Sequence, residues 1–530
     1  MSAGFSPSAG GSPVYEKQAE TTTQPINRPA QQTPKISSLL ESLVAATDEQ
    51  APSTRGLDSF FQADTPGQAL LAWLQPAPGQ KLTKDEIAVA LNRDISRLDT
   101  MLCDQVNIII HHPRFQQLEA SWRGLRYLVE QTVEDAERRV KIKVLHVPWK
   151  ELARDMQQAS EFDQSQIFKK VYSEEFGTPG GEPYSMLIGD YYARHKPGQG
   201  HSVNDLEVIR GMSQVAAASF APFITSAHPS FFGLDSFTQL ELPVNISRTF
   251  EQLEYLKWKA FRDSEDARFV GITLPHVLMR QPYQDNDGNS DGFRFREDVE
   301  NPDRSGYLWG NAAYAFGEVA VRAFVEEGWL ADIRGFQRGK LGGGLVAGLP
   351  SYSFATDKTA IAPRVSTDGI VSDHQDTELG ELGFIPLCPA KDTEFSVFYS
   401  NQSSQKPKKY DETAATINAR ISAMIQYMLC VSRFAHYLKV LGRDKVGSFA
   451  EADEVERELH SWLQGYVTSD DSASPEVKAE YPLREASVQV REVPGKPGTY
   501  QSIIHLRPHY QLDELTAAVK LITELAPPGR

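Results

Sequence analysis

The stretch "MLIGDYY" at residues 186–192 opens the part of the sequence that decides the fold. A helical pattern, "VNDLEVIRGMSQVAAASF", follows at 203–220, and a short apolar segment, "PFITSA", comes next at 222–227. The segments "VKIKVLHV" (140–147) and "ARFVGITL" (267–274) have the length and β-branched content of strands. Strands that alternate with helices predict a sheet covered by helices. The predicted fold class is therefore α/β, mixed with α+β parts.

Two long helices are predicted on either side of "HHP" at 111–113. The second covers 113–135 and begins with Pro113, a residue that the first turn of a helix accepts. The first covers 84–110, and its apolar residues recur at helical spacing: Ile87, Leu91, Ile95, Leu98, Leu102, Val106 and Ile109.

The two histidines of this motif could suggest a metal site. Adjacent side chains point in different directions, however, and no HExxH motif is present, so His111 and His112 are predicted to form a joint between two packed helices. In the second helix, Trp122 and Leu125 are expected to face the core. The motif therefore predicts a scaffold and no catalytic centre.

A third long helix is predicted over 411–441, with Gly442 as its C-cap. Its apolar residues recur at alternating steps of four and three, which is typical of a coiled-coil contact. They are Ile417, Ile421, Met424, Met428, Val431, Ala435 and Leu438. A helix of about 30 residues is roughly 45 Å long, which suits a structural strut.

The C-terminal region predicts a β-hairpin. "ASVQVREV" (486–493) and "TYQSIIHLRP" (499–508) both alternate with period two and are joined by a Pro/Gly-rich turn. A two-stranded hairpin is marginal by itself, so its edges are expected to be covered, either by its own domain or by strands from other chains. An amphipathic helix is predicted over 511–526, with Asp513 and Glu514 in its first turn.

The composition limits the kinds of protein that this chain can be. The chain has 530 residues, enough for roughly three domains. A formal net charge of −16 argues against nucleic acid and anionic membrane surfaces as partners. Three cysteines without a CxxC motif argue against disulfides and a zinc-thiolate site. No signal peptide or membrane-spanning apolar run is recognised, so a cytoplasmic protein without cofactors is expected.

Three regions are predicted along the chain. Residues 1–56 are polar and are expected to be a flexible tail, interrupted by an amphipathic helix at 36–46. A helical and α/β region follows at 57–375, and a C-terminal region at 376–530 contains the long helix and the hairpin. The short helix could bind a partner's groove or pack on its own domain.

Two motifs suggest other functions. The Gly-rich stretch 335–350, "GFQRGKLGGGLVAGLP", resembles a nucleotide-binding loop, but the spacing to Lys340 is one residue short and Leu341 follows it. A nucleotide-binding enzyme remains the alternative function. The loop 285–298 approaches the calcium-binding EF-hand pattern, but Asp298 replaces the usual glutamate. Cation binding there stays open, and no enzymatic activity is predicted.

Six blocks of sequence, in order from about residue 60 to the end, resemble the TssC (VipB) family, the large subunits of the type VI secretion contractile sheath. The resemblance implies a fold similar to phage tail sheath proteins with an added outer domain. The blocks are "HHPRFQQLEASWRGLRYLV" (111–129), "YLWGNAAYAFGEVAVRAF" (307–324), "GGGLVAGLP" (342–350), "ELGFIPL" (381–387), "QKPKKYDETAATINARISAMIQYMLCVSRFAHYLK" (405–439) and "RPHYQLDEL" (507–515).

The resemblance also implies partners. TssC-like chains form heterodimers with the small subunit TssB (VipA), and these polymerise into a helical sheath around a tube of Hcp rings. Contraction of a sheath attached to an envelope-anchored baseplate drives the tube out of the bacterium, and the ATPase ClpV disassembles the contracted form.

Carried onto this chain, the resemblance gives four sets of site residues. The inter-subunit strands would contain Val488, Val490, Ile503, Ile504 and Leu506. The tube-facing helix would begin at Asp513 and Glu514, and the ClpV-binding helix would contact its partner through Leu39, Leu40 and Leu43. The heterodimer helix would contribute Ile417, Ile421, Met424 and Met428.

Overall fold

A computed structural model of the chain describes residues 55–76, 82–132, 139–178, 180–198, 200–284, 293–299, 304–336, 342–351, 365–390, 393, 395–444, 452–470, 472–492 and 500–509. The chain divides into two compact units, Met1–Leu98 and Asp99–Arg530, and the division falls inside one long helix. The predicted boundaries at 56 and 375 are not tested by this division and stay predictions.

Helices make up most of the regular structure. The α-helices are α1 (Arg55–Phe61), α2 (Pro66–Leu74), α3 (Lys84–Ile110), α4 (Pro113–Gln131), α5 (Trp149–Gln158), α6 (Gln166–Phe168), α7 (Asp205–Ser219), α8 (Ile246–Phe250), α9 (Leu256–Arg262), α10 (Ala312–Glu327), α11 (Asp373–Glu381), α12 (Thr413–Ser422), α13 (Ile425–Asp444), α14 (Ala452–Gln464) and α15 (Pro475–Glu480). A π-helix covers Lys169–Phe176, and short 3-10 helices cover Phe162–Gln164, Pro229–Phe232, Phe237–Glu241, Leu253–Tyr255 and Asp266–Phe269.

The strands among the described residues form one four-stranded sheet and three smaller ones. They are β1 (Leu187–Ala193), β2 (Phe223–Ala227), β3 (Val270–Leu274), β4 (Val277–Leu278), β5 (Trp309–Gly310), β6 (Leu345–Val346), β7 (Ile385–Pro386), β8 (Cys388–Pro389), β9 (Ser396–Val397), β10 (Leu483–Glu492) and β11 (Tyr500–Pro508).

The smaller unit contains α1, α2 and the first half of α3. The Phe60 ring packs edge-on against Trp73, with 5.5 Å between their centroids. The Trp73 indole N–H donates to Asp94 Oδ2 at 3.1 Å. Thr65 caps α2 by accepting a hydrogen bond from the Gln68 backbone N–H. These contacts hold three short helical segments together around one tryptophan.

The larger unit is built around the central sheet, in which β1, β2, β3 and β7 are neighbours and all pairs are parallel. Every residue of β2 and β3 is buried, as expected for strands covered on both faces. Phe223 packs in a cluster with α7, whereas its neighbour Ile224 packs in the cluster that contains α10. The predicted α/β class and the strands at 186–192, 222–227 and 267–274 are therefore confirmed.

Buried polar groups connect the sheet to the start of α10. The Asn311 Oδ1 atom accepts hydrogen bonds from the Ser226 hydroxyl at 2.6 Å and from the Ala313 backbone N–H at 2.8 Å, so it caps the helix. The Ser226 and Thr273 hydroxyls lie 2.7 Å apart. These hydrogen bonds satisfy polar side chains that would otherwise be costly to bury.

The strand predicted at 140–147 is wrong: the structure assigns these residues to no strand. Side-chain contacts hold the segment in place of a strand ladder. Lys143 pairs with Glu175, and the Val147 carbonyl accepts a hydrogen bond from the Tyr191 hydroxyl at 2.7 Å. Alternation of apolar and charged residues was therefore misleading here, because it does not identify a partner strand.

The single helix predicted over 411–441 is two helices, α12 and α13, separated at Ala423 and Met424. A neighbouring segment causes the break by bonding to the helix backbone. The Ala423 carbonyl accepts from the Ser403 backbone N–H at 2.9 Å, and the Ile425 N–H donates to the Asn401 carbonyl at 2.8 Å. The second helix also runs through Gly442 to Asp444, so the predicted C-cap is wrong.

Candidate assembly surfaces

The predicted C-terminal hairpin is present as β10 and β11, and Val488 lies directly opposite Ile504. Of the predicted inter-subunit residues, Val488 and Val490 are buried, and Ile504 and Leu506 are partly buried on the same face. This face packs on the chain's own core, including Trp329, Cys430, Phe434, Leu438, Leu459 and Leu463. Four of the five predicted residues therefore attach the hairpin to this chain.

The fifth residue, Ile503, lies on the opposite face of the hairpin, where its side chain is 50% exposed. His505 and Ser487 are exposed on the same face. Of the five, Ile503 is the side chain that the described residues leave most exposed.

The residues predicted for the heterodimer helix divide in a similar way. Met424 and Met428 are buried in the chain's own core, and Ile421 is half-buried. Ile417 is 43% exposed on α12. Ile417 and Ile421 lie on α12, Met424 lies in the break and Met428 lies on α13, so these residues do not form one continuous contact rod.

A larger apolar surface lies on α4. Phe115, Leu118, Trp122 and Val129 are all exposed, and their spacing places them on one side of the helix. Trp122 is 65% exposed, so the expectation that it faces the core is wrong. Leu125 is half-buried between the two faces. We call Phe115, Leu118, Trp122 and Val129 the α4 apolar face.

The opposite side of α4 explains this orientation. Ala120, Gly124, Tyr127 and Leu128 are buried there in the cluster that contains α10. A Cβ atom on Gly124 would lie 2.3 Å from a ring carbon of Tyr314, so the two helices approach too closely for a larger residue. The small residues fix which side of α4 packs inward.

The C-terminal half of α3 is similarly open. Met101, Leu102, Ile108 and Ile109 are exposed, although the sequence predicts an apolar helix face there. The apolar periodicity is confirmed, but within the described residues nothing covers these side chains fully. Exposed apolar surface of this kind is typical of a protein–protein interface.

The joint between α3 and α4 is the predicted helix–break–helix at "HHP". His112 is the N-cap of α4, its ring Nδ1 accepting from the Arg114 backbone N–H at 3.3 Å, and Pro113 occupies the first helical position. His111 Nε2 lies 3.2 Å from Glu297 Oε1. Neither histidine is grouped with other metal-binding side chains among the described residues.

Glu297 is the centre of a buried ion network that the sequence does not indicate. Arg280 contacts both of its carboxylate oxygens, with Nη2 at 2.9 Å from Oε1, and also donates from Nε to Glu119 at 2.8 Å. Burial opposes the charge on Glu119, but hydrogen bonds from Arg280 and Arg123 outweigh it and lower the pKa of Glu119. Glu297 lies 186 residues from His111, so no local motif could reveal the network.

Close backbone packing explains why glycine occupies described positions of the Gly-rich stretch 335–350. A Cβ atom on Gly344 would lie 2.3 Å from the Phe398 carbonyl oxygen, and one on Gly343 would lie 2.8 Å from backbone oxygens. The Gly343 N–H donates to Asp332 Oδ2 at 3.2 Å. These glycines allow backbone segments to approach each other. Lys340 lies outside the described residues.

Other predicted segments also fall partly or wholly outside the described residues. They are the helix at 36–46 with Leu39, Leu40 and Leu43, the helix at 511–526 with Asp513 and Glu514, and residues 285–292 of the polar loop. Among the described residues of that loop, the Asp298 backbone N–H donates to Asn107 Oδ1 at 3.1 Å. No described helix is long and apolar enough to span a bilayer.

Two family models match the chain over adjoining ranges. Residues 92–405 match the model described as "EvpB/VC_A0108, tail sheath N-terminal domain", and residues 414–525 match the model described as "EvpB/VC_A0108, tail sheath gpW/gp25-like domain". Both ranges are therefore those of a tail sheath protein.

Similarity to a characterised relative extends over most of the chain. The type VI secretion system sheath protein TssC1 of Pseudomonas aeruginosa is 42% identical over 447 residues, covering 84% of this chain and 87% of the relative. The chain belongs to the VipB family.

Solved structures give weaker similarities. The anti-feeding prophage baseplate aligns with a TM-score of 0.35 and 10% identity over 71% of this chain and 81% of the other. The contracted anti-feeding prophage sheath aligns with a TM-score of 0.31 and 10% identity over 58% of this chain and 65% of the other.

Proposed function

We propose that this chain is the large subunit of a type VI secretion contractile sheath. The observation that carries the proposal is the 42% identity, over 84% of the chain, to a relative named as a sheath protein of that system. The uncovered apolar surfaces and the described glycines, which have structural roles, support a subunit of an assembly better than an enzyme.

In this proposal the chain pairs with the small subunit TssB, and the heterodimers polymerise in the bacterial cytoplasm around an Hcp tube on a baseplate. The work of contraction comes from an extended lattice that relaxes to one with more buried contact between subunits. Leu39, Leu40 and Leu43 would bind ClpV, and Asp513 and Glu514 would begin the helix that faces the tube.

The α4 apolar face is the surface that we assign to TssB. A helix face with exposed residues at steps of three, four and seven fits another amphipathic helix. Burying one large apolar side chain is worth about 1.5–3 kcal/mol, so four such residues can supply most of the energy of a stable contact. Ile417, exposed on α12, remains a second candidate contact with the same partner.

The test replaces Leu118 by glutamate and co-expresses the variant with the small subunit. We expect Leu118→Glu to reduce recovery of the complex by at least about tenfold, because the contact would have to bury a charge. Leu253→Glu is the matched control, since Leu253 is also an exposed leucine but lies on another element. Circular dichroism checks that both variants fold.

Two outcomes would count against the proposal at different levels. If Leu118→Glu and Leu253→Glu both bind the small subunit normally, the α4 apolar face is not the contact. If the unaltered chain, co-expressed with the small subunit, forms no tubules in electron micrographs, the function as a sheath subunit is wrong.

A further inference from the structure

The carboxyl-terminal edge of the central sheet carries basic side chains on three neighbouring strands. Ala193 of β1 and Ala227 of β2 are partners in the parallel register. Arg194 and His228, which directly follow them, therefore lie side by side, and the His228 N–H donates to the Ala193 carbonyl at 2.8 Å. His276 follows β3 at the same edge. In open α/β sheets, ligands bind outside the carboxyl ends of the strands.

The His228 ring has a hydrogen-bond donor at each of its two nitrogens. The Ser230 backbone N–H points to Nδ1 at 3.1 Å, and Arg194 Nη2 lies 3.1 Å from Nε2. A neutral imidazole accepts at only one nitrogen, because the other carries the proton. The Ser230 hydroxyl, 2.8 Å from Nδ1, can donate or accept and does not remove this conflict. With either tautomer, one N–H donor is left without an acceptor on the ring.

Arg194 is a half-buried cation without a counter-ion in the part of the chain that the structure describes. Its guanidinium makes a single hydrogen bond there, the one to His228, and no described carboxylate lies within ion-pair distance. Buried charges are normally paired. Only the backbone of Arg194 is bonded to a carboxylate, through its N–H to Asp205 Oδ2 at 2.8 Å. The guanidinium therefore has donors to offer beside the His228 ring.

The two carboxylates near this edge are already engaged by other donors of the chain. His276 Nδ1 lies 2.8 Å from Asp368 Oδ2. Asp205 Oδ1 accepts from the Trp149 indole N–H at 2.7 Å and lies 2.6 Å from His201 Nε2. The side chains of His201 and His276 remain 21% and 19% exposed, so solvent and small solutes reach the cluster.

The pKa of His228 shows that these basic groups act on one another. Burial, followed by the positive charges of Arg194, His276 and His201, lowers the pKa of His228 from 6.5 to about 4. The ring is therefore neutral at pH 7 in a surrounding that favours negative charge. No group of described side chains has the arrangement that a metal ion needs. The features that the chain leaves unsatisfied here are N–H donors and positive charge, and both call for an anion.

We propose that the carboxyl-terminal edge of the central sheet binds a phosphate group, with Arg194 and His228 donating to its oxygens. The His228 proton is then on Nε2 and points to the phosphate, while Nδ1 accepts from the Ser230 N–H, so each donor has an acceptor. The planar guanidinium fits phosphate oxygens, and a tetrahedral anion directs oxygens to donors on several strands. The inference goes beyond the proposed function and does not depend on it.

Calorimetry on the full chain in phosphate-free buffer, alone or with its small partner, tests the site with phosphate, AMP and acetate. We expect one phosphate per chain. Arg194→Gln should weaken binding at least about tenfold, because a hydrogen bond to a charged group is lost. Arg420→Gln is the matched control, since it removes the same charge from an exposed arginine on α12 and should keep the affinity. Circular dichroism checks that both variants fold.

The three titrants separate the sources of the phosphate group. Tighter binding of AMP than of phosphate would identify a nucleotide as the ligand, and equal or weaker binding would identify free phosphate. The inference is overturned if neither binds, if acetate binds as tightly as phosphate, or if Arg194→Gln binds like the unaltered chain. Tubule formation by the unaltered chain is a separate measurement, so the proposed function would still stand.

A second measurement uses the unaltered chain and covers the case in which Arg194→Gln does not fold. Diethyl pyrocarbonate modifies histidine rings, and mass spectrometry gives the rate at each position. We expect phosphate to slow the modification of His228 and His276 in proportion to the fraction of sites occupied. His374, which is exposed on α11, is the internal control and should react at an unchanged rate. Unchanged rates at His228 and His276 would contradict the inference.

Discussion

The central sheet and the C-terminal hairpin both bury apolar strand residues in the chain's own core, but the chain covers only the central sheet on all sides. The strands β2 and β3 have a neighbour on each edge and helices on each face, and all their residues are buried. Among the described residues, the hairpin has α13 and α14 on one face, hydrogen bonds from one edge to α14, and no third strand. The difference separates a region that the chain buries on all sides from a region that the described residues leave partly exposed.

The largest expected effect contrasts two tryptophans. Trp258 is 1% exposed and packs among the rings of Phe231, Phe261 and Phe384. We expect Trp258→Ala to lower the free energy of unfolding by about 3–5 kcal/mol, because it leaves a cavity. Trp122→Ala on the α4 apolar face should change it by about 0.5 kcal/mol or less. Urea unfolding followed by circular dichroism measures both.

Equal losses of unfolding free energy from the two substitutions would mean that Trp122 belongs to the folded core. Loss of small-subunit binding by Trp122→Ala, with stability unchanged, would instead place Trp122 in the contact with that partner.

The second effect contrasts a buried ion pair with an exposed one. Glu297→Ala leaves Arg280 charged and buried, and we expect the free energy of unfolding to fall by about 3–5 kcal/mol. Glu130→Ala breaks the exposed pair with Arg126 and should cost about 0–1 kcal/mol. A similar small loss in both variants would mean that the Glu297 network does not hold the joint between α3 and α4.

The third effect is a pH dependence at the end of α10. Burial, with nearby Asp332, Glu326 and Glu476, raises the pKa of Glu327 from 4.5 to about 8. The folded chain therefore keeps a proton that the unfolded chain loses between these two values, so its contribution to stability falls as pH rises from 4.5 to about 8 and is constant above.

Glu327→Gln should flatten this part of the stability curve, since the amide cannot ionise. Glu326→Gln is the comparison variant: it removes one exposed neighbouring carboxylate but leaves the burial of Glu327, so the fall in stability with pH should persist and end at a lower pH. Urea midpoints measured across this pH range provide the test. An unchanged slope in Glu327→Gln would contradict the raised pKa.

The sequence predicts the parts of the fold whose signal is local. The three strands β1, β2 and β3 and the helix between the first two are found because apolar runs and periodicity lie within single segments. The joint at His111, His112 and Pro113 is also predicted, because a proline at the first turn of a helix is a local signal.

Distant contacts account for what the sequence does not predict. The break at Ala423 exists because Asn401 and Ser403 bond to the helix backbone there, and the helix periodicity continues through the break. The exposure of Trp122 follows from Gly124 packing closely on Tyr314, which lies 190 positions further along the chain. An apolar stripe shows that a face will be covered, but it does not show whether the same chain covers it.

The pairing of Tyr283 with Glu297 has a practical consequence. The Glu297 N–H donates to the Tyr283 carbonyl at 3.0 Å, and the Tyr283 N–H donates to Glu297 Oε2 at 2.9 Å. These two bonds join the segments on both sides of the polar loop. Arg280 connects the joined segments to α4 through its hydrogen bond to Glu119. We therefore expect the interval between the two residues to accept an inserted epitope or fluorophore without a change in the joint beneath it. That would make it a natural position from which to follow the subunit by microscopy.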